Sequence, residues 1–411
     1  MFKVNDQNSD RRYMTVAYLL LLAFTFLFPL AITTAGTEIT FYGSAGILFI
    51  LLVTGRSTIS FYSPLIYPVL LFGTWSLIGL FFALDQAYSL HDYLTHFLKY
   101  ILLYLLVINL IDTEKKIKAL SWAIITSACL FSIGALIYEY FILDISPGNR
   151  FGLKLIETPT NLIGVATLFA MILATRLYPD EKRGSLRAAL LFMVSPMLLV
   201  TVLTQTRSNF VALLVVIPIL FYSKRKLLLI LLSLLILVIF LSPVKNRLHV
   251  DGGIRHRISL FLISKEVIKD YPIIGIGFGI NSMANHQLIS PDLYNKRVPE
   301  KYRLADEHFN WPHNMILNIA VRTGLVGLFL YIMVLAVCCK MLIQLIRRGH
   351  TTFIRKWANC ILAALAMFFV KGNLEPIFST IPETILFLIF SITAVLWRMN
   401  DISQDSRLMR P

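Results

Sequence analysis

The 411-residue chain carries 38 Lys and Arg against 23 Asp and Glu, a formal net charge of +15, yet 57% of it is apolar and only 15% charged. With a mean hydropathy of +0.72, that balance excludes an ordinary soluble domain and a disordered chain. A basic excess can signal nucleic acid, but in an apolar chain its expected origin is Lys and Arg retained on the cytoplasmic side of a bilayer, so no nucleic-acid partner is expected.

Apolar runs separated by polar breaks give expected spans at 14–33, 38–54, 63–84, 94–112, 119–143, 159–178, 188–205, 209–222, 226–243, 314–339, 353–370 and 381–397. Several reach or approach the roughly 20 residues that a helix needs to cross the hydrocarbon core. The fold class expected is therefore an all-α polytopic membrane protein of about twelve helices. The first run is long, begins after Arg11 and Arg12 and is followed closely by another, so it is expected to be a span and not a cleaved signal peptide. Cys129, Cys338, Cys339 and Cys360 fall inside or at the edge of apolar runs and read as small core residues.

With the N-terminus in the cytoplasm, every inner segment carries at least one basic residue, from Lys3, Arg11 and Arg12 through Lys115, Lys116 and Lys118 to Arg398. The short outer loops are nearly free of Lys and Arg, which fixes the expected orientation. Three regions follow: helices over 1–243, a large outward loop over 244–312, and the last helices with a cytoplasmic tail over 313–411. Within the loop, Arg257 to Tyr271 reads as an amphipathic helix with Leu260, Ile263 and Val267 on one face, suited to lie along the membrane surface or over a cavity. Pro291 to Asn310, rich in charge and Tyr, is expected to cap that cavity. The two halves of the chain show no internal repeat, which counts against transport.

Four polar segments could carry chemistry. Tyr271-Pro-Ile-Ile-Gly-Ile-Gly-Phe-Gly279 stops the loop helix at Pro272 and is a weak phosphate-loop match; a tight turn suits it better. His313 and Asn314 stand where the loop enters the tenth span, followed by Gly324 and Gly327, which could permit close helix contact. A histidine there is either a proton acceptor or an interfacial side chain. Thr204-Gln-Thr-Arg-Ser-Asn209 is a short polar island centred on Arg207, either an anion site or a boundary arginine. Arg255 and Arg257 form a second cation pair, and Lys371-Gly-Asn-Leu-Glu375 adds a third basic group and a carboxylate at the same face. Asp85, Asp92, Asp144 and Glu157 are scattered, so no metal site and no cofactor are expected.

Thr206-Arg207-Ser208, Arg257 followed by Pro272-Ile-Ile-Gly-Ile-Gly-Phe-Gly279, and His313-Asn314 before Gly324 and Gly327 resemble, in order and placement, the O-antigen ligase family of Gram-negative bacteria. Lys371-Gly-Asn-Leu-Glu375 resembles a basic-Gly-Asn turn of enteric members. The resemblance implies a C-type glycosyltransferase fold in the bacterial inner membrane, with the active site facing the periplasm. It also implies inverting, metal-independent transfer of a glycan from undecaprenyl diphosphate to lipid A-core. Carried over by matching motif, His313 is the implied general base, and Arg207 and Arg257 bind the diphosphate. Arg255, Asn314, Lys371 and Glu375 are possible supports. Many members have an acid where Arg322 stands here, so Asp306, Glu307 or Glu375 would have to orient the histidine. O-antigen polymerases share the superfamily and remain the alternative, with a transporter or flippase as the reading from another class.

Overall fold

The computed structural model describes residues 3–30, 33–61, 63–146, 151–152, 160–241, 251–285, 288–304, 312–375 and 377–408. The start of the expected loop at Val244, together with Glu157, Asp306, Glu307, His308 and Trp311, lies outside these residues. In chain order the helices are α1 (Lys3–Leu27), α2 (Thr34–Val53), α3 (Ile66–Leu80), α4 (Gln86–Tyr93), α5 (Lys99–Leu110), α6 (Glu114–Ile137), α7 (Thr160–Asp180) and α8 (Gly184–Leu203). They continue as α9 (Arg207–Phe221), α10 (Arg225–Leu241), α11 (Asp251–Asp270), α12 (Pro291–Arg297), α13 (Met315–Arg348), α14 (Thr352–Leu374) and α15 (Thr380–Leu408). No strand occurs among the described residues.

Each apolar run of the sequence lies on a helix. Nine helices among the described residues are long and apolar enough to cross a membrane, one of them formed by α4 and α5 running continuously through Leu94–Leu98. Three more runs fall on the shorter α3, α9 and α10, of 15, 15 and 17 residues. At 1.5 Å per residue the first two extend only about 22 Å, against about 30 Å of hydrocarbon, so the expected count of twelve full spans is not reached on length. Helices suit this medium because each satisfies its own backbone groups where water cannot. Their starts are capped by side chains: Asp85 Oδ1 accepts from Tyr88 N at 2.9 Å, and Thr351 Oγ1 from Ile354 N at 3.1 Å. Phe49 (63%), Leu229 (65%), Phe240 (66%) and Phe329 (66%) are largely exposed, an arrangement stable only against lipid.

The bundle has two distinct ends. At one, Asp180 at the close of α7 binds Arg176 Nη2 at 2.5 Å, Lys118 Nζ at 3.8 Å and Trp357 Nε1 at 3.3 Å, while Arg398 Nη2 donates to Ile111 O at 2.8 Å. This basic end gathers the Lys and Arg that the sequence assigns to inner segments. The other end carries the loop. There, Leu260, Ile263 and Val267 of α11 are buried against Ile276, Met283, Tyr294, Val298 and Val321. The apolar face of α11 therefore covers the protein itself and not a membrane surface. The helix also begins at Asp251, earlier than its periodic face suggests.

At 34 residues α13 is longer than the expected span, and it is broken at Gly324, where φ is +69°. The break frees backbone groups that must find partners elsewhere. Val321 O accepts from Ile276 N at 2.9 Å, Arg322 O from Gly277 N at 3.1 Å and Thr323 O from Trp75 Nε1 at 2.9 Å, while Leu325 N donates to Pro272 O at 2.8 Å. A Cβ at Gly324 would lie 2.0 Å from Ile273 O. Gly324 is thus the seat of a helix break into which the glycine-rich turn fits, and not the helix-to-helix contact expected from its spacing with Gly327. Ile319 through Gly324 are all buried, so this first part of α13 is enclosed by protein, and lipid contact begins beyond the break.

Candidate functional site

At the loop end, three chain segments enter helices. Gln205 takes a left-handed φ of +49°, turning the chain so that Thr206 is extended and Arg207 opens α9. His313 does the same with φ +50°, and Asn314 then caps α13 by accepting from Leu317 N at 3.0 Å. Such conformations cost non-glycine residues free energy and persist only where the surroundings hold them. The surroundings here do so: Asn314 Nδ2 donates to Asn373 O at 3.2 Å, fastening the start of α13 to the last turn of α14.

Lys371 ties α14 to α9. Its Nζ donates to Ser208 Oγ at 3.0 Å and Asn209 Oδ1 at 2.5 Å, and pairs with Glu375 Oε2 at 3.0 Å. The side chain is wholly buried. A buried cation so fully coordinated is spent on structure, so Lys371 is not a third basic group presented to a ligand; it braces the turn that presents Arg207. Gly164 of α7 makes room for the brace, since a Cβ there would lie 2.5 Å from Asn209 Oδ1 and 3.0 Å from Lys371 Nζ. Nothing in the sequence pattern singles out Gly164.

His313 is half-buried and its pKa is lowered, by burial first, then by the Arg257 guanidinium and the His256 ring, against an opposing Glu375 carboxylate. The His256 and His313 ring centroids are 6.4 Å apart at 67°. Arg257, exposed on α11, and Glu375 at the end of α14 therefore both act on this imidazole. His256 is a neighbour that the sequence reading passed over, because on an isolated helix it reads as one more solvated residue. The Arg255 side chain is exposed and has no hydrogen bond or ion pair among the described residues.

The structure thus links Arg207, His313, Asn314, Lys371 and Glu375 through contacts between α9, α13 and α14, and brings α11 with His256 and Arg257 to the same histidine. Of the acids considered as partners for His313, Glu375 is the one whose charge reaches it; Asp306 and Glu307 lie outside the described residues. Arg322 is elsewhere in purpose. Its Nε donates to Phe278 O at 2.8 Å, Nη2 bonds the same oxygen, and the guanidinium lies 4.5 Å from the Phe278 ring centroid and 5.2 Å from that of Phe378. It pins the glycine-rich turn in place. No cluster of three or more His, Cys, Asp or Glu is placed to hold a metal among the described residues.

The Arg257 guanidinium acting on His313 and Arg207 at the start of α9 are each suited to an anionic group, and an imidazole biased toward its neutral form can accept a proton. Residues 192–332, from α8 through the loop and past the break in α13, match the family model described as O-antigen ligase. The match spans about a third of the chain, and that segment is similar to the family. That segment contains Arg207, Arg257, the glycine-rich turn and His313, whereas Lys371 and Glu375 lie beyond it. No curated protein matches the chain.

Proposed function

We propose that the protein is an O-antigen ligase, transferring a glycan from undecaprenyl diphosphate to a sugar hydroxyl of lipid A-core on the periplasmic side of the inner membrane, within a C-type glycosyltransferase fold. The observation that carries this reading is His313, biased toward its neutral form between Arg257 and Glu375 and joined through the Lys371 brace to the helix start bearing Arg207. His313 takes the proton of the acceptor hydroxyl as its oxygen attacks the anomeric carbon. The bond from that carbon to the diphosphate oxygen breaks, and the configuration inverts in one displacement. Arg207 and Arg257 stabilise the charge that collects on the leaving diphosphate, an interaction stronger in the transition state than in the ground state. Asn314, Lys371 and Glu375 hold these groups in place.

The direct test is transfer from a purified lipid-linked glycan to purified lipid A-core, with and without chelator. Product formation unaffected by chelator is expected; failure to transfer to lipid A-core while the lipid-linked glycan grows longer would instead identify a polymerase. In cells, loss of the gene is expected to leave bare core on a lipopolysaccharide gel. A band of core with one repeat unit would overturn the ligase reading.

A further inference from the structure

At the basic end of the bundle, remote from His313, the closing turns of α7, α9 and α13 and the first turns of α14 border a cavity of about 480 Å³. Arg176, Lys224, Arg355 and Lys356 line it, and no carboxylate lines it among the described residues. Lys224, Arg355 and Lys356 are exposed and have no ion pair among those residues. Arg176 is only 7% exposed; Asp180 holds its Nη2, and its buried Nε has no hydrogen-bond partner among the described residues.

With Arg176 paired to Asp180, the three other cations facing one space repel each other, and a buried N–H left unpaired costs free energy, so the arrangement is stabilised by an anion. A phosphate matches guanidinium and ammonium donors of this kind. The rim indicates its source. Phe221 and Tyr222 border the cavity, Tyr222 is 63% exposed as an interfacial aromatic would be, and the adjoining outer faces of α9 and α10 are apolar and open. Acyl chains can lie along those faces with a headgroup turned inward. We infer that this cavity binds the phosphate of an anionic membrane lipid headgroup, at a site separate from glycan transfer.

Native mass spectrometry of the full-length protein in detergent, titrated with phosphatidylglycerol, phosphatidylcholine or inorganic phosphate, tests this. Phosphatidylglycerol is expected to bind in preference to phosphatidylcholine, and the Arg355→Gln/Lys356→Gln variant to weaken it by about 30-fold, the loss expected from two interfacial cations. Both side chains are exposed, so the variant keeps its fold; Lys224→Gln, on the connection between α9 and α10, provides an independent second reading. Unchanged phosphatidylglycerol binding in both variants, or equal binding of phosphatidylcholine, overturns the site. Displacement of the lipid by equimolar inorganic phosphate assigns the cavity to a free anion and overturns the lipid source.

Discussion

A sugar hydroxyl is a poor nucleophile, so at the level of single residues the decisive property is the protonation of His313. Replacing it by Ala is expected to reduce transfer by about 10²- to 10⁴-fold while membrane insertion is retained, as measured in the purified assay. Because burial, Arg257 and His256 lower its pKa, the imidazole stays neutral below the pH at which an ordinary histidine charges. Transfer should therefore fall only as pH drops through that lowered value. His256→Ala removes one of the lowering influences, so the acid limb of the pH profile is expected to move to higher pH; an unmoved limb would separate His256 from the base. Arg207→Lys should slow transfer, since an ammonium cannot reproduce a bidentate grip on phosphate, and full activity in that variant would reduce Arg207 to bulk charge. The sequence pattern makes His313 and Arg207 visible because each sits beside a helix start in a short polar break. It hides His256 and Gly164, whose significance lies entirely in what stands opposite them.

Among the elements, α9 and α14 are coupled by the buried Lys371, which bonds Ser208 and Asn209 of α9 and pairs with Glu375 at the end of its own helix. Glu375→Gln would leave the wholly buried Lys371 charge without its carboxylate, a change expected to cost about 3–5 kcal/mol and to lower the midpoint of thermal unfolding. Adding Lys371→Met to that variant should recover much of the loss, because the isolated cation is then gone. A double variant no more stable than the single one would show that the hydrogen bonds to Ser208 and Asn209, and not the charge pairing, dominate. The helices themselves are legible from long apolar runs, and the buried face of α11 from the spacing of Leu260, Ile263 and Val267. The break in α13 is not, because Gly324 three residues before Gly327 reads equally well as a close helix crossing. Only the partner, the turn after Pro272, decides between them, and it is remote in sequence.

At the scale of the whole molecule, the two ends differ in charge as well as in content, and the basic end is expected in the cytoplasm. In a Cys339→Ser background, where the other cysteines are buried, Lys265→Cys on the exposed side of α11 should react with a membrane-impermeant maleimide from the periplasm. Lys226→Cys at the basic end should react only after the inner membrane is opened; the reverse pattern would invert the orientation. Composition and hydropathy suffice to anticipate a helical protein with many apolar segments and a loop gathered at one end of the bundle. They could not show that α3 falls below bilayer thickness, because the apolar run 63–84 continues past the helix at both ends, whereas the shortness of α9 is visible in its run 209–222.

The discontinuity in α13 also has a mechanical meaning. From Leu325 to Arg348 about 24 residues rise about 36 Å, enough to cross a bilayer alone. The preceding segment, headed by Asn314, is fastened instead to the loop and to α14. Were the lower rod to tilt as the surrounding lipid thickens or thins, the break at Gly324 is where the chain would bend, below the segment that carries the imidazole.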